Sequence, residues 1–232
     1  MGTIINAISI ILGTIIGLIF KKGIKDKYQL GINQALGLSI ALIGLNGVLT
    51  NMLYVDNNII KSQYELILIV SLTIGSFIGN YLDIDKHLNS IGSILENKFN
   101  IKGLALGFIN ASLIFCIGAM AIIGSLNDGI YNDSSILIVK SMLDFVTCII
   151  LASSLGIGVM FSSISVLVYQ GLITISASYL AIYLNDIVLA QICCVGYSLL
   201  IMTGLNFMNI TKIKVANFLP SIIVVFLLAT LF

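Results

Sequence analysis

Two charged side chains interrupt an apolar run of the sequence, ILIVKSMLDFVTCIILA, at residues 136–152. Lys140 and Asp144 are four positions apart, so on a helix they share one face. If this helix starts at the outer membrane surface, they lie roughly 6 and 12 Å deep, at 1.5 Å per residue. An ionised carboxylate near mid-membrane costs at least about 2.5–3.5 kcal/mol, so a functional role is expected for it. The alternative is a buried pair that only holds two helices together.

Other polar residues lie close to this helix in the sequence. Gly156 and Gly158 predict a break after it, because glycine costs about 1 kcal/mol in a helix relative to alanine. The hydroxyl and amide side chains nearby could line a cavity at membrane depth or hydrogen-bond neighbouring helices. The candidate substrate- or ion-binding residues are Asp144, Lys140, Gln170, Ser141, Asn110, Ser153, Ser154 and Asn217.

Two candidate positions lie in breaks of the apolar pattern. Pro220 interrupts the last apolar run and frees the carbonyl four residues earlier, at Ala216. Asn217 is beside that opening, so the break either borders a binding cavity or is a turn at the membrane surface. Asp128, in GSLNDG at residues 124–129, falls near the outer surface. An Asn-Asp-Gly turn is its simplest interpretation, and a gate for a solute is the alternative.

The composition excludes a water-soluble protein. The 232 residues are 59% hydrophobic and 9% charged, whereas a soluble domain has about 25% charged residues. The net charge of +1 excludes a nucleic-acid footprint. Four cysteines lie in apolar runs without metal-ligand spacing, so neither a metal site nor another cofactor is expected. We therefore expect one integral membrane domain over residues 1–232, surrounded by the lipid bilayer.

A membrane-spanning helix needs about 20 apolar residues. Runs near this length predict an all-α polytopic transmembrane bundle of about eight spans: 3–20, 31–53, 64–82, 103–125, 136–155, 162–184, 187–209 and 213–232. Lysine-rich and lysine-poor connections alternate, which places the first, third and seventh connections in the cytoplasm and both termini outside. In the third connection, residues 86–99 have one apolar helical face, which predicts an amphipathic segment on the cytoplasmic surface.

Small residues recur at matching positions in pairs of spans. The pattern S-x3-G-[TS]-x2-G occurs at 9–17 and at 71–79, and G-x-S followed by G-L-N occurs within 37–46 and 196–206. Such faces let helices approach closely, either within one chain or between copies in a homo-oligomer. The second pair runs in opposite directions in the predicted topology, as in an inverted repeat with broken helices. Low-complexity apolar sequences also produce such matches by chance.

Several motifs follow one another in an order that resembles a known family. CIGAMAIIGSLNDG at 116–129 precedes IVKSMLD at 138–144, SSLGIGV at 153–159, YQG at 169–171 and KIKVANFLP at 212–220. This order is similar to that of the YqgA/YdfK-type family of uncharacterised bacterial inner-membrane proteins. The family pattern has a proline where this chain has Ala119, so the resemblance does not imply a helix kink here. It implies a polytopic protein of the inner (cytoplasmic) membrane and no particular substrate.

The residues favour a small secondary transporter or channel for an ion or small solute, with a mid-membrane polar site around Asp144. No enzymatic activity is expected, because the sequence lacks HExxH and GxSxG, and only Lys140 is deep enough to form an acid–base pair with Asp144. The alternative function is that of a non-catalytic, membrane-embedded structural or sensory partner protein, whose contacts would be made helix to helix.

Overall fold

The structure is a computed structural model that describes residues 1–21, 26–87, 89–90, 103–117, 119–180 and 182–231. The chain divides into two compact units, each built from two separate stretches of sequence. The first unit comprises Met1–Asn33 and Leu88–Ile182, and the second comprises Gln34–His87 and Tyr183–Phe232.

Helices make up most of the described chain. In chain order the main elements are α1 (Gly2–Lys21), α2 (Asp26–Met52), β1 (Leu53–Asp56), β2 (Ile59–Ser62), α3 (Glu65–Leu82), α4 (Leu104–Cys116), α5 (Ala119–Tyr131), α6 (Ser135–Leu155), α7 (Gly158–Ile175), α8 (Ala177–Leu180), α9 (Asp186–Phe207), a 3₁₀ turn (Val215–Phe218) and α10 (Pro220–Leu231).

The apolar helices confirm the prediction of an all-α polytopic membrane bundle. Among the described helices, six are long and apolar enough to cross a membrane: α1, α2, α3, α6, α7 and α9. Helices α4 and α5 together form a further candidate span, bent by 64° at their junction. Where an eighth span was predicted, at 213–232, the structure has a shorter apolar segment, Val215–Thr230.

Helices α1 and α6 of the first unit lie parallel and in close contact. A Cβ on Gly13 would lie 2.5 Å from the Phe145 carbonyl oxygen, and one on Gly17 would lie 2.5 Å from that of Ile149. Both helices advance by four residues between these contacts, so they run in the same direction. Only glycine permits this approach, because any larger side chain would overlap the backbone of α6.

Helix α7 follows α6 after the break predicted at Gly156 and Gly158. Gly156 has φ 80° and ψ −157°, a conformation open essentially only to glycine. Gly158 then packs against α4, where a Cβ would lie 2.2 Å from the Leu104 carbonyl oxygen. The helices of this unit enclose a core of Ile10, Ala111, Phe115, Cys148, Leu151, Ala152, Val159 and Val166.

In the second unit, α2 and α9 pack in opposite directions. Gly37 approaches the Gly204 carbonyl oxygen, and Gly44 approaches that of Tyr197. As one helix advances by seven residues the other recedes by seven, which is the antiparallel arrangement expected for these two spans. Opposite directions alone do not establish an inverted repeat, which stays a prediction.

The small-residue faces of α1 and α3 are used within the chain. The face of α1 packs against α6, and in the second unit Gly75 and Gly79 of α3 pack against Ser221 and Asn217. These faces are therefore occupied by the chain's own helices, and self-association through them would have to displace those contacts.

A β-hairpin stands where the sequence predicted only a connection. Strands β1 and β2 pair antiparallel, with Leu53 opposite Ser62 and Asp56 opposite Ile59. Asn57 and Asn58 form the turn, with φ of 50° and 60°. Asparagine tolerates positive φ, and two such residues suit a type I′ turn.

Two further predictions concern local helix geometry. Most of the amphipathic segment predicted at 86–99 lies outside the described residues. Its described residues, 86–87 and 89–90, are helical. Helix α4 ends at Cys116, and the next residue, Ile117, is extended with ψ 134°. The chain thus bends just before Ala119 even without the proline of the family pattern.

Candidate functional site

The two charged residues of α6 form a buried ion pair. The Lys140 ammonium donates a hydrogen bond to Asp144 Oδ2, and only 7% and 10% of the two side chains remain exposed. The Lys140 Nζ also lies 6.0 Å from the centre of the Phe115 ring, within range of a cation–π contact. Both members of the pair are on one helix, so the pair itself does not join two helices.

Asn6 of α1 lies beside this pair, and the sequence analysis missed it. Its side chain is next to the Asp144 carboxylate and wholly buried. Neither its amide nitrogen nor its amide oxygen makes a hydrogen bond of standard geometry. Its position in the sequence could have indicated this location. Asn6 is 7 and 11 residues before Gly13 and Gly17, a spacing that puts it on the same face of α1, the face that packs against α6.

Gln170 of α7 is a second buried amide, and it has no hydrogen-bonding partner. It is wholly buried, and neither its nitrogen nor its oxygen has a hydrogen-bonding partner. One turn later on α7, the Thr174 hydroxyl is also buried and unpartnered. Gln170 thus lies inside the protein, and no interhelical hydrogen bond holds its amide, while its role in binding stays a prediction.

Contacts with α5 place Asn6 and Gln170 at the same height along the helix axes of the first unit, here called a level. Asp128 of α5 bonds to the backbone of Gly2 in α1, and the adjacent Gly129 packs against the Thr174 carbonyl. Gly2 and Thr174 are therefore at one level. From this level, α1 runs into the unit with increasing residue number and α7 with decreasing residue number. Four residues inward are therefore Asn6 on α1 and Gln170 on α7.

The same level holds the ion pair. Gly2 packs against Leu137, and α1 runs parallel to α6, so Asn6 is level with Ser141, between Lys140 and Asp144. The first unit thus places two charges of opposite sign and two buried amides at one level, on helices α1, α6 and α7 that pack against one another. Such an arrangement can hold a polar solute, or relay a proton or ion.

Three of the predicted site residues instead hydrogen-bond to their own helix, and a fourth bonds to a neighbouring helix. Ser141 donates to the Leu137 carbonyl at 2.6 Å, Ser153 to that of Ile150 at 2.7 Å, and Asn110 to that of Leu106 at 2.8 Å. Ser154 donates to the Asn33 side chain of α2. Serine commonly bonds to its own helix in this way, so these contacts point to helix packing.

Asp128 holds the start of α1. Its Oδ2 accepts hydrogen bonds from the Met1 ammonium at 2.9 Å and the Gly2 N–H at 3.1 Å, and its Oδ1 accepts one from Ser134 at 2.6 Å. A carboxylate at a helix N-terminus satisfies orphan N–H groups and interacts favourably with the helix dipole. Asp128 lies within helix α5, so the Asn-Asp-Gly turn predicted for it is wrong. In the connection after α5, hydrogen bonds from the Ser135 hydroxyl and backbone N–H lower the pKa of Asp133.

Asn217 belongs to the second unit and has partners there. Its side-chain oxygen accepts a hydrogen bond from the Asp85 N–H at 2.7 Å, and its amide donates to Asn80 Oδ1 at 2.9 Å. Pro220 begins α10 after the 3₁₀ turn, so the predicted helix break is present. The bonds of Asn217 fasten this break to α3 and the segment after it.

Comparison with known proteins identifies the family and leaves the activity open. The chain is 36% identical over 223 residues to the uncharacterized membrane protein YdfK of Bacillus subtilis (strain 168), covering 96% of this chain and 93% of the relative. It is 27% identical over 230 residues to the uncharacterized protein YqgA of Escherichia coli (strain K12), with coverage of 96% and 93%. No solved structure matches the chain significantly. Residues 1–230 match the family described as "Protein of unknown function (DUF554)", and the chain therefore belongs to the DUF554 family of membrane proteins.

Proposed function

We propose that this protein is a small secondary transporter or channel for an ion or small solute. Its site consists of Lys140, Asp144, Asn6 and Gln170 in the first unit. One observation carries the proposal: a buried ion pair shares a level, inside apolar helices, with amides that lack standard hydrogen bonds. The protein then binds the ion or solute and lets it cross the membrane, without catalysing a reaction.

The energetic cost of this arrangement supports a role in binding. A buried polar group left without a partner costs about 1–3 kcal/mol. Gln170 leaves two such atoms, and Asn6, whose amide lies against the Asp144 carboxylate, adds an oxygen without a partner, beside a charge pair that has itself been removed from water. Apolar residues of similar size would avoid these costs, so binding of a solute is the simplest reason to retain them.

A purely structural role is the second candidate, and it fits other polar residues of the chain better. Asp128 and Asn217 are buried too, but both polar atoms of each side chain hydrogen-bond to residues outside their own helix. They therefore fasten helices together. The hydrogen bond of the Lys140–Asp144 pair lies within one helix, and the contact of the pair with α1 is through the Asn6 amide beside the Asp144 carboxylate.

The proposal includes an orientation in the inner (cytoplasmic) membrane with both termini outward. Lysines near the end of α1 favour a cytoplasmic location for that end. The parallel packing of α1 and α6 supports the same direction for both helices. In this orientation the Gly2 end of the site is closer to the outer surface, and Asp144 is deeper than Lys140.

The experiment begins with a thermal-shift screen of purified protein against ions and metabolites, because a ligand that binds the native state raises its melting temperature. Flux of each stabilising ligand is then measured in proteoliposomes. We expect Asp144→Asn to abolish flux while the protein still folds. Asp56→Asn, at an exposed carboxylate of the β-hairpin, is the matched control and retains flux.

Two results would refute the proposal. Wild-type protein without flux of any stabilising ligand would remove the transport function. Normal flux in folded Asp144→Asn would remove Asp144 from the mechanism. If Asp144→Asn does not fold, Lys140→Met with Asp144→Leu is tested, since replacing a whole buried pair by apolar residues is often neutral or stabilising. The double variant must then fold and lack flux.

A further inference from the structure

Buried polar groups without partners continue from the ion pair towards the Gly2 end of α1. Thr3 and Thr174 have buried hydroxyls with no partner, and Asn6 and Gln170 lie one turn deeper. In the described part of the first unit, these four residues account for all buried side-chain polar atoms without a hydrogen bond. They occupy two successive turns of α1 and α7, two helices that pack against each other, and these four residues are here named the amide ladder.

The hydrogen-bonding capacity of the amide ladder is balanced. Each of the two carboxamides offers an NH₂ donor and a carbonyl acceptor, and each threonine hydroxyl can do both. A ligand that satisfied the ladder would therefore need donors and acceptors of its own. Successive turns are about 5.4 Å apart, so a solute of a few non-hydrogen atoms can span both levels.

The charges at the deep end of the ladder are already compensated. Lys140 and Asp144 are bonded to each other, so the pair is electrically neutral as a unit. Adding a bare cation or anion would put a net charge among buried apolar side chains, where uncompensated ions are strongly disfavoured. A solute with no net charge avoids that penalty.

We propose that the amide ladder binds a small solute of zero net charge that carries both hydrogen-bond donors and acceptors. This inference rests on the proposed transport function and names the substrate class for the same site. Neutral amides, polyols and small zwitterions belong to this class. Inorganic cations and anions do not belong to this class, although the Lys140–Asp144 pair alone would be compatible with binding either.

The test measures uptake of acetamide, glycerol and glycine into proteoliposomes by light scattering, alongside electrical currents carried by Na⁺, K⁺ and Cl⁻. We expect protein-dependent uptake of at least one uncharged or zwitterionic probe, without an ion current. Gln170→Leu and Asn6→Leu should each lower this uptake at least tenfold. Asn51→Leu is the matched control, because the Asn51 amide donates to the Gly47 carbonyl of its own helix in the second unit, and it should retain uptake.

The other outcomes separate this inference from the proposed function. Ion currents abolished by Asp144→Asn, without uptake of the three probes, would overturn the ladder's substrate class and leave the transport function standing. Absence of both uptake and currents would overturn the ladder's substrate class, and the transport function would then be decided by the flux of the ligands that stabilise the protein. Probe uptake that is unchanged in folded Gln170→Leu and Asn6→Leu would overturn the assignment of the site to the ladder. Folding of each variant is established by its elution as a single species in detergent.

Discussion

Asp128 Oδ2 accepts a hydrogen bond from the backbone N–H of Gly2 at 3.1 Å, joining residues 126 positions apart in sequence. This bond fixes the start of α1 against α5. Since Asn6 is one turn further along α1, the level at which its amide meets Asp144 depends on where Asp128 holds the helix.

We predict that Asp128→Ala destabilises the protein by about 1–2 kcal/mol, the usual loss for a helix cap. The variant would also leave the N–H of Gly2 without its acceptor. Thermal unfolding in detergent measures the change. Asp56→Ala is the control, because the exposed Asp56–Lys61 pair should contribute no more than about 1 kcal/mol. Equal stability of Asp128→Ala and wild type would show that Asp128 does not hold α1.

Gly158→Ala should lower stability by about 1–3 kcal/mol through overpacking. The added Cβ would lie 2.2 Å from the Leu104 carbonyl oxygen, so α4 and α7 would have to separate. Gly171→Ala, on the same helix, has no atom within 4 Å of the new Cβ and should stabilise by up to about 1 kcal/mol. Unfolding temperatures of the two variants should therefore move in opposite directions, and a shared direction would contradict this packing.

The features that sequence predicted are those governed by local pattern. Apolar runs located the membrane helices, the spacing of Lys140 and Asp144 placed both on one face, and Gly156 marked the break that ends α6. These depend on helix periodicity and backbone sterics, which act over a few residues. The fold class and the charged half of the site followed from them.

The features that sequence missed depend on contacts distant in the chain. Asn6 became part of the site only because α1 packs against α6, and Asp128 became a cap only because α5 meets the start of α1. No local sequence pattern indicates which helices pack against each other. The β-hairpin is different, since Asn57-Asn58 is a recognisable turn signal that could have predicted it.

Gln170→Leu is predicted to stabilise the protein by about 1–3 kcal/mol, because it removes two buried polar atoms without partners. Asn206→Leu should have the opposite effect. The Asn206 side chain accepts from Thr211 and the Ile213 N–H, and it donates to the Ile213 carbonyl, so three hydrogen bonds would be lost. Unfolding in detergent compares the two. A marked loss of stability in Gln170→Leu would mean that its amide is a structural link.

The central claim is that the level of Asn6 and Gln170 is open to polar solutes, and thiol labelling tests it most directly. With native cysteines replaced by alanine, Gln170→Cys is compared in proteoliposomes with Val166→Cys, one turn away in the apolar core. The probe is the small, uncharged, water-soluble reagent 2-hydroxyethyl methanethiosulfonate, which matches the zero net charge proposed for the solute. Labelling after denaturation verifies that both thiols are reactive.

We predict that Gln170→Cys is labelled in the folded protein at least tenfold faster than Val166→Cys. If Gln170→Cys is as slow as Val166→Cys when folded, yet is labelled fully after denaturation, the ladder is a dry seam between helices and the account of a solute site is wrong.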